Sequence, residues 1–279
     1  MASGPAHLIP RKQRSRHEDW LEAREWFYGN PDVLTARGLV AKAALRLQAT
    51  LQNLGVTAAA YSWSGGKDSM VTHLVARQAG HGDRGVCVLT AALEYPAFEA
   101  WVDTHQPPGL HTWRRPLDYT WLATHPAWLF PDTAAKSSRW FATVQHAGQR
   151  AYMRRWWLEA GWLPSASALL MGRRVADGNH CGPGGIYRDP EGFWRVSPIY
   201  DWSHEDVLCV LGANRLELAP CYDWPEGFRV ATGPWPKRRR HPDGLAATWR
   251  LVHQIDPTVV AQAAVFDIEG AGECLRTVP

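Results

Sequence analysis

Residues 64–69 read Ser64-Gly65-Gly66-Lys67-Asp68-Ser69, with two glycines, a lysine, an aspartate and two serines in six consecutive positions. Glycine lets backbone N–H groups approach an anion with no Cβ in the way. Lys67 adds a mobile positive charge, and Ser64 and Ser69 add hydroxyl donors. Asp68 is the odd member, because a carboxylate beside phosphate repels it. It makes sense if it holds Mg²⁺ or caps a helix. The string therefore suits phosphate binding, provided that a strand delivers it and a helix receives it, so that free N–H groups and the positive end of the helix dipole face the anion.

The flanking sequence meets that condition. VTAAAYSW (56–63) is a short apolar run fit for a buried parallel strand, and KDSMVTHLVARQAG (67–80) has helical spacing and closes on Gly80. Alternation continues along the chain. Strands are expected at 85–93, 110–116, 167–172 and 193–199. Helices are expected at 96–105, 118–126, 138–161 and 203–212, the last with Ser203 as N-cap and Asp206 as its capping-box partner. Two further helices precede the glycine-rich string, at 17–28 and 32–54, and two more are expected near 242–254 and 257–268. A Gly-rich loop is expected from the end of the 167–172 strand to Gly192. Strands alternating with helices imply an α/β, Rossmann-like parallel sheet flanked by helices, with an N-terminal helical extension. Ligands of such sheets sit beyond the carboxyl ends of the strands. The expected organisation is a basic arm and N-terminal helices over 1–54, a nucleotide-binding domain over 55–225, and a C-terminal loop and helical extension over 226–279.

Composition narrows the classes. The 279 residues carry a net charge of +3, so the chain as a whole is not a polycation. Of its 30 basic residues 25 are arginine, grouped at Arg11–Arg16, Arg114–Arg115, Arg154–Arg155, Arg173–Arg174 and Lys237–Arg240. Such runs can contact phosphate, and a solvated basic surface is the plainer alternative. The 16 tryptophans can stack on bases or fill a core. Five cysteines (Cys87, Cys181, Cys209, Cys221 and Cys274) are scattered without a CxxC pair, which argues against a disulfide framework and a cysteine-only metal site. No apolar window is long enough to span a membrane, and the N-terminus lacks the apolar core of a secretory signal. A cytoplasmic protein is the expectation.

The 64–69 string fits neither a Walker A loop nor a dinucleotide fingerprint. It resembles the PP-loop, SGGxDS, of the N-type ATP pyrophosphatases. A second stretch resembles the phosphoadenylylsulfate (PAPS) reductase-like branch of that superfamily, which includes the small subunit of bacterial ATP sulfurylase. That stretch combines MGRRVADGNHCG (171–182) with Pro198, Ile199, Trp202, Ser203, Asp206 and Val207. The likeness covers roughly residues 55–225. It implies an adenine nucleotide alpha hydrolase-like fold that binds ATP with Mg²⁺ and adenylylates an acceptor, releasing pyrophosphate. By the same resemblance, Ser64 to Ser69 hold the pyrophosphate, with Lys67 and Asp68 in the catalytic set and Asp68 as the Mg²⁺ ligand. Arg173 and Arg174 neutralise phosphate across the site. Ser62, Trp63, Gly172 and the backbone of Thr90–Ala92 lie along the nucleotide. The Trp202–Val207 block reads as a structural capped helix.

There are departures. The family's aspartate after the second strand is missing, and only a displaced Glu94 stands near its place. The long helix carries Arg139-Trp140-Phe141 and Gln145 where many members have Arg-Trp-Cys and a lysine, leaving Lys136 and Arg150 as substitutes. The acceptor stays open among sulfate, carboxylate, amide and nucleobase. Three other readings stay open beside adenylyl transfer. One is a sulfonucleotide reductase or sulfurtransferase using Cys274 or Cys181 as nucleophile. Another is a nucleic-acid-modifying protein using the arginine-rich segments. The last is a nucleotide-binding regulator without turnover.

Overall fold

A computed structural model describes residues 7–9, 15–130 and 151–277. The basic residues at 10–14, together with Lys136, Arg139, Gln145 and Arg150, lie outside the described residues.

Among the described residues six strands form one sheet: β1 (Ala58–Ser62), β2 (Gly85–Thr90), β3 (Leu110–Arg115), β4 (Ser167–Leu170), β5 (Ile186–Arg188) and β6 (Trp194–Val196), in the order β3-β2-β1-β4-β6-β5. β1 runs parallel to β2 and β4, and β4 runs parallel to β6. The β1–β4 register pairs Ala58 with Ser167 through to Tyr61 with Leu170. β4 is buried along its whole length, as expected of a strand covered on both faces. The fold is thus the Rossmann-like α/β arrangement read from the alternation.

From β1 the chain moves to β2 and β3 on one side, then returns to place β4 on the other. The order therefore reverses between β1 and β4. In open α/β sheets this reversal opens a crevice at the strands' carboxyl ends. The segments leaving β1 and β4 are 63–66 and 171–174, the two glycine-bearing stretches singled out above.

The chain divides into two compact units. The first takes Met1–Cys87, His105–Thr112 and Trp157–Ala219. In it α1 (His17–Gly29) packs on α7 (His204–Ala213), and α2 (Val33–Asn53) packs on α7 and on α3 (Lys67–Gln78). α2 begins at Asp32, whose side chain accepts from Thr35 N (2.9 Å), and ends before Gly55, which takes φ +65°. Its buried stripe is Ala36, Val40, Ala43, Ala44, Leu47 and Leu51, the 3–4 spacing of one helix face. The capping box of α7 is present: Asp206 N donates to Ser203 Oγ (3.0 Å) and Ser203 N to Asp206 Oδ2 (2.8 Å). From the arm, Leu8 is buried and its N–H donates to Glu205 (2.8 Å).

The second unit takes Val88–Thr104, Trp113–Trp156 and Pro220–Pro279. It holds α4 (Pro96–His105) up to Thr104, α5 (Tyr119–Ala123), α8 (Gly227–Val230), α9 (Leu245–Ile255), α10 (Pro257–Val265) and α11 (Ala271–Thr277). Phe130, Trp235 and Trp249 form its aromatic centre, with Phe130 edge-on to Trp249 at 4.9 Å. Here the tryptophans fill a core.

The structure corrects the sequence reading in three places. The Gly-rich loop contains β5, an edge strand antiparallel to β6. Gly182, Gly184 and Gly185, all at positive φ, turn the chain into it, and the single-residue punctuation hides a three-residue strand. The expected strand at 193–199 is confined to Trp194–Val196. Residues 271–277 form α11, a helix beyond the two expected near 242–254 and 257–268. Of the long helix expected at 138–161, residues 151–159 are helical (α6) and the part before 151 lies outside the described residues.

Gly212, near the end of α7, lies against α1. A Cβ there would collide with the carbonyl oxygen of Phe27 and come within 2.9 Å of its carbonyl carbon. Both contacts are backbone, so neither can rotate away. Gly212→Ala is therefore expected to cost about 1–3 kcal/mol through overpacking. A lowered denaturant midpoint with an unchanged slope would show this, and an unchanged midpoint would contradict the α1–α7 packing.

Candidate functional site

β1 ends at Ser62, and Trp63 N donates to Val86 O (2.8 Å), holding the strand exit in register with β2. Gly65 then takes φ +67°, a left-handed conformation that glycine adopts without strain. Gly66 is the N-cap of α3 and supplies no side-chain cap. The helix's first internal bond is Met70 N to Gly66 O (3.0 Å), so the preceding N–H groups have no acceptor within the helix. Ser69 staples the turn. Its Oγ donates to Gly66 O (2.8 Å) and accepts from Ser64 N (3.1 Å). Ser64 is exposed while Gly65, Gly66, Lys67 and Ser69 are buried. Free N–H groups and the positive dipole end at such a helix N-terminus are the features that anion sites use.

The exit of β4 is pressed onto this turn. A Cβ on Gly172 would lie 2.8 Å from the carbonyl carbon and oxygen of Asp68 and 2.9 Å from Ser69 N. Glycine is thus required at 172 by close approach to the first turn of α3. Next along the chain, Arg174 is fully buried. Its Nε donates to Asp68 Oδ1 (2.7 Å), Nη1 to Trp202 O (3.2 Å) and Nη2 to Asp177 Oδ1 (3.0 Å), with Nη2 also 3.1 Å from His204 Nδ1. Lys67, 5% exposed, places Nζ 2.6 Å from Asp68 Oδ2 and 3.9 Å from Asp177 Oδ1.

Two consequences follow for the expected site residues. The two arginines have separate partners. Arg174 is consumed by internal partners and ties β4 to α3 and α7, whereas Arg173 is half-buried and donates to Tyr187 Oη (3.0 Å) on β5. Successive residues leaving a strand point to opposite sides, which separates the two guanidinium groups. Asp68 in turn has both carboxylate oxygens engaged, by Lys67 and by Arg174. Among the described residues no group of three His, Cys, Asp or Glu side chains gathers to hold a metal. The donors at hand do not fit a protein-built Mg²⁺ site, because each carboxylate near Lys67 already faces a cation.

The electrostatics agree with this arrangement. Burial would raise the Asp68 carboxyl, but the Lys67 ammonium and the Arg174 guanidinium outweigh it and hold it below the usual carboxylate range. His204 is pushed down to about 3, first by burial and then by Arg174 and Lys67, so its ring is neutral. Its Nδ1 accepts from Arg174, which assigns the ring proton to Nε2.

Of the remaining expected residues, Trp63 is 2% exposed, so its ring is core. Ser62 is half-buried. Glu94 is buried in the second unit, where Oε1 accepts from Thr90 N (2.8 Å). Burial pushes its carboxyl up to about 7, against the pull of the Thr90 N–H and Lys237. Neither cysteine is presented as a thiolate. Cys274 is fully buried on α11, Cys181 is 4% exposed, and burial raises both thiols. The sequence reading missed Asp177 and His204. The first lies three residues after Arg174 in a short turn, and the second is hidden within the capped helix. Neither position carries a motif.

No protein-family model matches the chain, and no curated protein matches it. Among solved structures, the chain is similar to the FMN adenylyltransferase of Candida glabrata in complex with ATP (TM-score 0.31, 17% identity, 66% of this chain and 61% of that one). It is similar to the same enzyme with FMN and the ATP analogue AMPCPP (TM-score 0.31, 16% identity, 66% and 64%). The chain thus spans less than two thirds of the length of these structures. At that level the likeness assigns neither ligand nor reaction.

The Asp68–Arg174 link has a pH signature. The folded-state pKa of Asp68 lies below its unfolded value near 4, so its contribution is full above about pH 4 and is lost as pH falls through the folded-state pKa. His204 acts over a higher window. The unfolded ring takes up a proton near pH 6.5, the folded one only near 3, so stability falls as pH drops between those values. His204→Gln is expected to flatten the stability profile between pH 6.5 and 3. Arg174→Met, which leaves Lys67 as the one cation near Asp68 and Asp177 among the contacts above, is expected to cost about 3–5 kcal/mol at neutral pH. Denaturant titrations at stepped pH check both. A His204→Gln profile as steep as that of the parent would contradict the buried, neutral ring.

Proposed function

We propose that the chain binds ATP with its pyrophosphate end on residues 64–69 and transfers the adenylyl group to an acceptor, in the manner of the PAPS reductase-like branch of PP-loop proteins. One observation carries this reading. The SGGKDS string forms a strand–turn–helix whose uncapped N-terminus sits at the sheet's switch point, with Gly172 pressed against it.

In this reading the backbone N–H groups of the turn and the α3 dipole hold the β- and γ-phosphates. Lys67 shifts part of its charge from Asp68 to the bound anion. Arg173, the less buried of the arginines, faces the phosphates, while Arg174 fixes the turn. An acceptor oxygen attacks the α-phosphorus, the bond to the bridging oxygen breaks, and pyrophosphate leaves with the electron pair. Catalysis is by position and by stabilisation of charge on the departing group. Mg²⁺ enters as the nucleotide's own counter-ion. The acceptor classes are those left open by the sequence: sulfate, carboxylate, amide or nucleobase. The cysteine-dependent alternative has less support, because Cys181 and Cys274 are buried with raised thiols.

The test is release of pyrophosphate from ATP and Mg²⁺ across a panel of acceptors, among them sulfate, carboxylates and DNA. Acceptor-dependent release is expected, falling about 10²–10³-fold in Lys67→Ala, the range for removing one stabilising group at a developing charge. Sulfite released from a sulfonucleotide plus thiol, with no pyrophosphate from ATP, would overturn the proposal.

A further inference from the structure

The second unit carries an open cleft of about 610 Å³ lined by Glu226, Arg239, Arg240, His241, Pro242 and Leu251. Its cations come from the basic run at 237–240, which adenylyl transfer leaves without a role. The run is held rigidly. Arg238 is 3% exposed; its Nε donates to Tyr95 Oη (3.0 Å), and Nη1 and Nη2 donate to Pro225 O (3.0 and 3.2 Å). On the far side His241 N donates to Thr248 Oγ1 (2.8 Å) in α9, and His241 pairs with Gly244 in an isolated bridge. The backbone between these two anchors is therefore fixed.

Arg239 and Arg240 lie between the anchors and are exposed. Neither makes a hydrogen bond or an ion pair among the described residues. Glu226, on the cleft wall, pairs with Arg229 (3.5 Å), and Asp243 lies 3.6 Å from His241 Nδ1. Two guanidinium forks on a fixed backbone thus line a cleft whose wall acid, Glu226, is paired with Arg229, beside an apolar wall of Pro242 and Leu251. Planar guanidinium groups match the oxygens of a phosphate in two-point contacts. The volume exceeds a phosphate ion and falls within the range of small-molecule sites.

We infer that this cleft is a second anion site, which seats the phosphate group of an organic phosphate through Arg239 and Arg240 while Pro242 and Leu251 cover the organic part. The phosphate belongs either to a small ester or to a nucleic-acid backbone, and the chemistry of recognition is the same. The site involves neither Lys67 nor the 64–69 turn.

The experiment measures binding of ribose 5-phosphate and of a single-stranded 12-mer of thymidine to the full chain at 50 and 200 mM salt. The proteins compared are the parent, Arg239→Ala/Arg240→Ala, Arg239→Lys/Arg240→Lys and Lys67→Ala. At least about a tenfold loss of affinity is expected in the double alanine variant, with a smaller loss in the double lysine variant, which keeps charge but not the fork. The part of the binding that the double alanine variant loses is expected to be retained in Lys67→Ala. Because both arginines are exposed and, among the described residues, unpaired, the melting temperature of the double variant should match the parent. Binding of ribose 5-phosphate identifies a small ester. Binding of the 12-mer alone, with a steep loss between the two salts, identifies a backbone. Binding of neither probe, or equal affinity in the double alanine variant, overturns the inference.

Discussion

A guanidinium taken wholly out of water must find its hydrogen bonds inside the protein, since an unpaired buried charge is among the most destabilising features a fold can carry. Arg174 meets that requirement with Asp68, Asp177, the carbonyl of Trp202 and His204. Those partners belong to the first turn of α3, the turn after β4, and the start of α7. One side chain therefore fixes the three segments that meet at the switch point. The Gly172 contact depends on the same closeness, because β4 can lie against α3 only while nothing larger than hydrogen stands between them.

This constraint divides labour within the site. Asp68 is occupied by cations, so it orients Lys67 and Arg174. In the proposed function the receptor for the pyrophosphate is then the backbone of residues 64–69, whose shape Ser69 holds from inside. Lys67 is not idle charge waiting in solvent. It sits in a buried ion pair, and an incoming phosphate has to compete with Asp68 for it. A ligand bearing several negative charges does so more effectively than one bearing a single charge, which connects the geometry of the turn to the preference for ATP in the proposed function.

The sequence made the fold legible where periodicity and caps were strong. Ser203 and Asp206 announced α7, Asp32 and Gly55 bounded α2, and the alanine-rich run at 58–62 announced β1. The glycine-rich 64–69 string could be placed between strand and helix because its neighbours have clear periods. β5 was not legible, since three residues among glycines carry too little pattern to distinguish a strand from a loop. Nor were the separate fates of Arg173 and Arg174. Adjacent like residues read as a pair, and only the direction of each side chain shows that one is core and the other faces Tyr187. Asp177 carried no signal because a three-residue spacing in a loop marks no pairing, and His204 because its role depends on a contact from a distant segment. Burial of Cys181 and Cys274 was hidden for the same reason, as their local sequence gives chemistry but not depth.

The claim that residues 64–69 receive the pyrophosphate end of a nucleotide is tested most directly by comparing the equilibrium affinities of ATP and AMP in the presence of Mg²⁺. If the account holds, ATP binds at least about a hundredfold more tightly, as two or more charge-assisted contacts would give, and most of that difference disappears in Lys67→Ala. Equal affinities for ATP and AMP, or a preference unchanged by Lys67→Ala, would contradict it.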